Sequence, residues 1–240
     1  MKNETILTER TPEGSENGIP IWKRSLDLLV MLLLSPIILL FGGLIALVVR
    51  ITSRGPILFR QKRVGYRGQE FICFKFRTMQ VNAETASHQN HTRNLIQSQA
   101  PMVKLDAKKD PRLSPCGALL RATGLDELPQ LLNVLRGEMS IVGPRPCIPY
   151  EYELYGAWER RRFNATPGLT GLWQVSGKNR TTFQEMIQLD IEYAERKSLL
   201  LDLEIILKTL PAIWTQCQET RGARDNNPGP GATIPKNAAV

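Results

Sequence analysis

From Leu28 to Val49 the chain reads LLVMLLLSPIILLFGGLIALVV, twenty-two residues without a charge. As a straight helix this stretch would measure about 33 Å, at about 1.5 Å per residue, enough to cover a hydrocarbon core. Backbone groups in lipid must be satisfied internally, so the segment is expected to be helical. It lies too far from the N-terminus and runs too long for an ordinary signal peptide, and no convincing cleavage site follows it. Ser35-Pro36 interrupts it. Proline lacks the amide that would serve the carbonyl of Leu32, and its ring crowds that carbonyl. The serine hydroxyl can take over a freed backbone group. Two topologies follow: a kinked spanning helix, or a re-entrant hairpin that enters and leaves by one face. Lys23 and Arg24 precede the segment and Arg50 and Arg54 follow it. Basic residues on both flanks give both ends a reason to stay cytoplasmic. These residues alone leave both topologies open.

The 240 residues carry a formal charge of +8. The excess is local. Between Arg50 and Arg77 stand Arg50, Arg54, Arg60, Lys62, Arg63, Arg67, Lys75 and Arg77, against the single acid Glu70. A basic block at the end of an apolar segment reads first as a flank near anionic headgroups. Nucleic-acid binding is the weaker reading, because zinc-ligand spacing and aromatic RNA-binding signatures are both missing. Cys73, Cys116, Cys147 and Cys217 form no CxxC pair and read as reduced thiols packed as small hydrophobes.

Residues 1–20 are polar, with Pro12, Gly14, Gly18 and Pro20, and read as a disordered tail. A membrane-anchoring helix is expected over 21–54. A β-hairpin is expected over 56–76, from Ile57-Leu58-Phe59 and Phe71-Ile72-Cys73-Phe74-Lys75-Phe76 around Gly65-Tyr66-Arg67-Gly68. Residues 81–112 are a polar surface excursion; His88 and His91 lie there without a carboxylate or cysteine partner, so no metal is assigned to them. Helical pattern resumes at Gly117. A helix is expected to start at Asp126 or Glu127 and end near Arg136, with Leu128, Leu131, Leu132 and Leu135 as its apolar face. Pro129 suits its first turn and Gly137 its stop. Residues 151–163 read as an amphipathic helix, and 168–179 as loop and short strand. Residues 182–195 and 198–215 read as helices. The last carries Leu199, Leu200, Leu203, Ile206, Leu207, Leu210 and Trp214. It suits either the headgroup plane or ordinary core packing. The catalytic unit is thus expected over 55–216, with a disordered tail over 217–240. The fold class is α+β, mainly helical with a small β-hairpin.

The chemistry gathers at Leu125-Asp126-Glu127-Leu128-Pro129-Gln130 and Gly143-Pro144-Arg145-Pro146. The first turn of a helix exposes unpaired amides, which keep carboxylates ionised and attract phosphate. An ionised Asp126 is a competent oxygen nucleophile toward phosphorus. Glu127 can hold Mg2+, which prefers oxygen ligands and reduces repulsion between an anionic nucleophile and an anionic substrate. Asp-Glu at a helix start is also ordinary capping chemistry, and the pair alone carries little. Arg145 stands between two prolines that fix φ, so its guanidinium is pre-positioned for phosphate; a rigid surface loop is the plain alternative. Arg121 could orient the carboxylate, contact phosphate or make a surface ion pair. Lys75 and Arg77 share a strand face and could add charge to the same pocket or face headgroups.

The ordered set of motifs resembles the bacterial sugar transferases, the monotopic phosphoglycosyl transferases. Lys23-Arg24-Ser25-Leu26-Asp27 comes first, then Ser35-Pro36, Gly55-Pro56-Ile57-Leu58-Phe59-Arg60-Gln61 and Lys75-Phe76-Arg77-Thr78-Met79. Asp110-Pro111-Arg112, LDELPQLLNVLRGEMSIVGPRP from Leu125 and TPGLTGLWQVSGKN from Thr166 complete it. The resemblance spans roughly residues 21–215. It implies transfer of a sugar 1-phosphate, of hexose type, from a UDP-sugar to polyprenyl phosphate with release of UMP. Asp126 would be the nucleophile, Glu127 its dyad partner and Mg2+ ligand, and Arg145 a phosphate contact. Arg121, Lys75, Arg77, Lys178 and Asn179 complete the expected substrate contacts. The Ser35-Pro36 break would make the anchor re-entrant, with interfacial amphipathic helices and the catalytic domain at the cytoplasmic face of the inner membrane. Partners would be UDP-sugar, polyprenyl phosphate and membrane lipid, with no nucleic acid; no oligomeric state is read. Products would feed exopolysaccharide, capsule or O-antigen assembly. Two departures stand out. Gly124 replaces a frequent serine or threonine, and Lys178 a frequent arginine. The competing classes are a membrane phosphatase or pyrophosphatase using the same dyad, and a non-catalytic, lipid-anchored basic binding protein.

Overall fold

The computed structural model describes residues 19–53, 55–79, 113–114, 116–177 and 180–225. Lys178, Asn179, His88, His91 and Asp110-Pro111-Arg112 lie outside the described residues, as do 1–18 and 226–240.

Helix α1 runs unbroken from Ile21 to Thr52 with Pro36 inside it. The expected rescue is present: Ser35 Oγ donates to the Leu32 carbonyl at 2.8 Å, the acceptor that Pro36 cannot serve. Burial along α1 falls at Lys23, Asp27 and Met31 and returns at Ile45 and Val49. Between them no residue is buried, and an added Cβ at Gly42 or Gly43 would meet nothing within 4 Å. The two ends of α1 therefore dock, and its middle stands away from the rest.

The expected hairpin forms as antiparallel β1 (Leu58–Val64) and β2 (Glu70–Phe76). The turn is tightened by Arg67 at φ 53°, a left-handed value. Cys73, beside Met31, Val134 and Met139, receives the first half of α1. Phe76, beside Ile45, Val49 and Leu120, receives the second. In a straight helix Met31 and Val49 would be about 27 Å apart, whereas Cys73 and Phe76 are separated by about 10 Å of strand.

Helix α2 (Gly117–Thr123) ends at Gly124, φ 74°. A 3-10 turn, Leu125–Gln130, follows and hands over to α3 (Leu131–Arg136). The single helix expected from Asp126 to Arg136 is thus two short pieces. Its expected apolar face is also corrected: Leu132 and Leu135 are exposed, whereas Asn133 and Val134 are fully buried. Asn133 wins the inward position because the outer edge of β2 needs partners. Its Oδ1 accepts from Phe74 N at 3.1 Å, and its Nδ2 donates to Ile72 O at 2.7 Å. One amide satisfies an exposed ladder edge.

A second sheet was not legible as such. β3 (Ser140–Val142) pairs in parallel with β4 (Gly168–Thr170). Between them lie α4 (Pro149–Glu153), α5 (Ala157–Arg160) and a 3-10 turn, Arg161–Asn164, where one helix was expected. Gly156 separates the pieces. After β4, Leu172–Val175 forms the short helix α6. Helix α7 (Phe183–Arg196) begins with a Thr182/Glu185 capping box, a signature the local sequence carries. Helix α8 runs Leu199–Asp225. The tail expected from 217 is corrected over its first nine residues, which are helical through Asp225, because a helix already nucleated and packed propagates at one bond per added residue. At the other end Ile19, assigned to the disordered tail, is buried.

Lys23 and Arg24 do not serve as free flanking charges. Lys23 is 2% exposed and donates to Asp202 and to Tyr193 Oη. Arg24 donates to the carbonyls of Val134 and Leu135 in the last turn of α3, where helix carbonyls lack partners. Asp27 accepts from Ser140 Oγ and Ile141 N, both at 2.9 Å. The basic motif before the anchor is spent on joining α1 to α3, β3 and α8.

Candidate active site

Four segments, the β1–β2 hairpin, the 3-10 turn, the Arg145-Pro146 loop and the β4–α6 stretch, meet at a pocket lined by Arg63, Cys73, Lys75, Glu127, Gln130, Arg145, Pro146, Gly168, Leu169 and Gln174. Strand alternation supplies Cys73 and Lys75 from one face of β2. The 3-10 turn supplies Glu127 and Gln130. With three residues per turn, positions i and i+3 eclipse, so these two share a face while Asp126 and Pro129 share the next. Asp126 is accordingly buried at 8% exposure and is not part of the lining, whereas Glu127 reaches the pocket. Lys75 Nζ lies 2.8 Å from Glu127 Oε1, with side-chain exposures of 16% and 32%.

The Gly143-Pro144-Arg145-Pro146 loop owes its place to glycine. An added Cβ at Gly143 would sit 2.2 Å from Thr166 O, and one at Gly168 would sit 2.0 Å from Gly143 N. Only bare backbones can approach so closely. They are joined by Gly143 N to Thr170 O at 2.8 Å and Gly168 N to Pro144 O at 2.9 Å. Deeper supports follow. Arg63 Nη1 donates to Pro146 O at 3.0 Å, Val64 N to Cys147 O at 2.9 Å, and Arg162 Nη2 to Arg145 O at 2.8 Å. Arg162 also pairs with Asp190, both 1% exposed. Arg145 is thus a half-buried guanidinium on a backbone fixed from three sides.

Arg63, Lys75 and Arg145 face a single lining carboxylate, Glu127. This balance favours an anion with more than one negative charge. Burial together with the Arg145 charge pulls Arg63 below its ordinary value. Burial pushes the Cys73 thiol up and the Cys147 thiol to about 12. Neither sulfur is a thiolate at neutral pH, which fits the plain reading of both cysteines and leaves the carboxylates as nucleophile candidates.

Of the residues singled out by sequence, Lys75, Glu127 and Arg145 converge. Asp126 adjoins them through the chain. Arg121, in the last turn of α2, is half-buried and outside the lining. Arg77 is buried and turned toward α1, its Nη2 donating to Ser53 O at 2.7 Å. Arg63, Cys73, Gln130 and Gln174 were missed. Gln130 was detectable from its i+3 spacing to Glu127, had the turn been read as 3-10. Arg63 carried a weaker signal, since its register partner Phe71 stands two residues from Cys73.

The sequence profile described as "Bacterial sugar transferase" matches residues 19–216. An exopolysaccharide production protein ExoY of Sinorhizobium fredii is 42% identical over 197 residues, covering 80% of this chain and 85% of that protein. A UDP-glucose:undecaprenyl-phosphate glucose-1-phosphate transferase of Caulobacter vibrioides is 39% identical over 206 residues, covering 82% and 72%. An undecaprenyl-phosphate galactose phosphotransferase of Salmonella typhimurium is 38% identical over 159 residues, covering 66% of this chain and 33% of that longer protein. A match that runs from residue 19 to residue 216, across the folded elements, leads to one conclusion: the chain belongs to the bacterial sugar transferase family.

Proposed function

We propose that this protein transfers a sugar 1-phosphate from a UDP-sugar to undecaprenyl phosphate at the cytoplasmic face of the inner membrane. The observation that carries the reading is the three-cation pocket with Glu127 as its one lining acid, set beside an apolar helix. The relatives' names supply the donor and acceptor classes. A diphosphate suits Lys75, Arg63 and Arg145 in charge, and the guanidinium of Arg145 in shape.

An Asp126 carboxylate oxygen attacks the sugar-bearing phosphorus. The bond from that phosphorus to the bridging oxygen breaks, and UMP leaves with the bonding pair. A phosphate oxygen of the lipid acceptor then attacks the same phosphorus, the acyl-phosphate bond breaks, and Asp126 is regenerated as the polyprenyl diphosphate sugar departs. Lys75 and Arg145 neutralise charge as the leaving phosphate separates. The 3-10 turn holds Asp126, 8% exposed, next in the chain to the pocket-lining Glu127, which limits the contact of the nucleophile with bulk water.

Glu127 is the residue that would hold Mg2+. One carboxylate with diphosphate oxygens and waters is a sufficient donor set for that ion. Among the described residues no cluster of three or more His, Cys, Asp or Glu side chains offers a self-contained metal cage. The chemistry supplied there would be positive charge that lessens repulsion between the diphosphate and the anionic nucleophile.

The membrane reading is a re-entrant α1 bent at Ser35-Pro36. Its support is that both ends of α1 dock on one strand while its exposed middle stands clear. Helix α8 adds an exposed row of Leu200, Leu203, Leu207, Leu210 and Trp214 at three-to-four spacing, suited to the acyl–headgroup boundary.

The test is Asp126→Asn in the full chain. We expect UMP release to fall by at least about 10³-fold, a loss of about 4 kcal/mol of transition-state stabilisation, and the sugar-phosphate adduct to vanish from intact-mass spectra. Wild-type-like turnover in that variant would overturn the mechanism. Sugar phosphate released to water without polyprenyl phosphate would point to a phosphatase instead.

A further inference from the structure

Arg77 is 6% exposed, yet its guanidinium is only partly used. Nη2 donates to Ser53 O. Nε and Nη1 are buried and have no hydrogen-bond partner among the described residues. A buried cation with idle donors is costly unless an anion answers it. The location narrows what that anion is. Arg77 N donates to Ile57 O at 3.0 Å, continuing the β1–β2 ladder one residue past Phe76. Arg77 therefore follows Lys75 on the same strand face, about 7 Å further along. Lys75 points to Glu127 and the pocket; Arg77 points to Ser53, the C-cap of α1. The neighbouring packing is apolar, with Val49, Phe76 and Leu120 in one cluster. On the outward side of the same end of α1, Leu44, Leu47 and Ile51 are exposed at three-to-four spacing. The idle donors thus sit between the pocket and the part of the molecule best suited to hydrocarbon.

We propose that Arg77 seats a lipid-borne phosphate at the foot of α1, separate from the phosphate contacts of the pocket. The phosphate chemistry follows from the idle donors. Only the identity of the lipid as the transfer acceptor rests on the function proposed above. A phosphate held here has its tail directed to the bilayer and its oxygens one strand step from Lys75. That is the approach an acceptor needs in order to reach a phosphorylated Asp126.

The experiment uses the full chain in phosphatidylcholine nanodiscs doped with undecaprenyl phosphate, undecaprenol or phosphatidylglycerol. Lipid retained by the protein after detergent extraction is quantified by mass spectrometry. Wild type is expected to retain undecaprenyl phosphate at least tenfold over undecaprenol. Arg77→Gln is expected to lose that preference. Loss confined to undecaprenyl phosphate assigns the seat to the acceptor, and equal loss of phosphatidylglycerol assigns it to bilayer headgroups; both support a lipid phosphate. Unchanged retention of both in a cooperatively melting Arg77→Gln protein overturns it. If Arg77→Gln does not fold, Arg77→Lys is used. A threefold or greater loss there supports the seat, because one ammonium cannot serve both Ser53 O and a phosphate as the guanidinium does; wild-type retention overturns it. The measurement needs neither donor nor turnover, so a chain inactive as a transferase can still pass it.

Discussion

Two cation–carboxylate pairs flank the Arg145 loop, and they are built for opposite ends. Lys75–Glu127 joins β2 to the 3-10 turn with side chains 16% and 32% exposed. Arg162–Asp190 joins the turn after α5 to α7 with both side chains 1% exposed. The first pair stands in the pocket, in partial contact with water, where an arriving anion can claim the lysine and a cation the glutamate. The second is sealed and carries a further bond to the Arg145 carbonyl. The difference teaches that position and exchange are assigned to separate residues. One pair holds the loop, and the other can be remade during binding.

The comparison is broken most severely at the sealed pair. Arg162→Met should leave Asp190 as an unanswered buried carboxylate, and we expect a stability loss of about 3–5 kcal/mol in urea unfolding of the detergent-solubilised chain. A loss near zero would mean that the pair is not the strut described. Glu127→Gln should do the reverse. Stability should change by less than about 1 kcal/mol, since half-exposed pairs contribute little. Turnover should fall about 100-fold, or about 2.7 kcal/mol of barrier. Full-rate turnover would separate Glu127 from the chemistry.

Acid sharpens the contrast. Burial holds Asp190 up at about 6, against an ordinary 3.8, with Arg162 opposing that rise. The folded form therefore binds this proton more tightly than the unfolded chain does. Its contribution to stability is largest below about pH 4, declines as pH rises to about 6, and is flat above. Urea midpoints across that window should lose this component in Asp190→Asn; identical profiles would contradict the assignment. The smallest effect is expected at Gly124, whose φ of 74° disfavours side chains although an added Cβ meets nothing within 4 Å. Gly124→Ser should cost about 1 kcal/mol with turnover little changed. A stabilised variant would show that the serine hydroxyl supplies a bond outweighing the strain.

Much of the site was legible because its signals are local. The β2 alternation gave Lys75, the proline pair marked Arg145, and the Ser35 rescue of Leu32 followed from the chemistry of Pro36. What was hidden lies in contacts between distant backbones. The pairing of β3 with β4 rests on Gly143 and Gly168, which carry no side-chain pattern to read. Lys23 read as a flanking charge because its partner, Asp202, stands 179 positions away. Leu132 and Leu135 followed helical periodicity yet yielded the interior to Asn133, since hydrophobic spacing cannot announce that a strand edge needs an amide. Asp126 and Glu127 were found together, but their separation into buried and pocket-facing roles depends on a 3-10 turn that apolar periodicity does not distinguish from an α-helix.

The bond between Lys23 and Asp202, with Tyr193 completing it, has a practical corollary. The long apolar helix is also a wall of the folded body. Clipping it off to obtain a soluble fragment would strand an acid and a phenol in a dry hollow and unroof Cys73 and Phe76. On the membrane reading proposed above, attachment to the bilayer and integrity of the folded body are, in this chain, one and the same property.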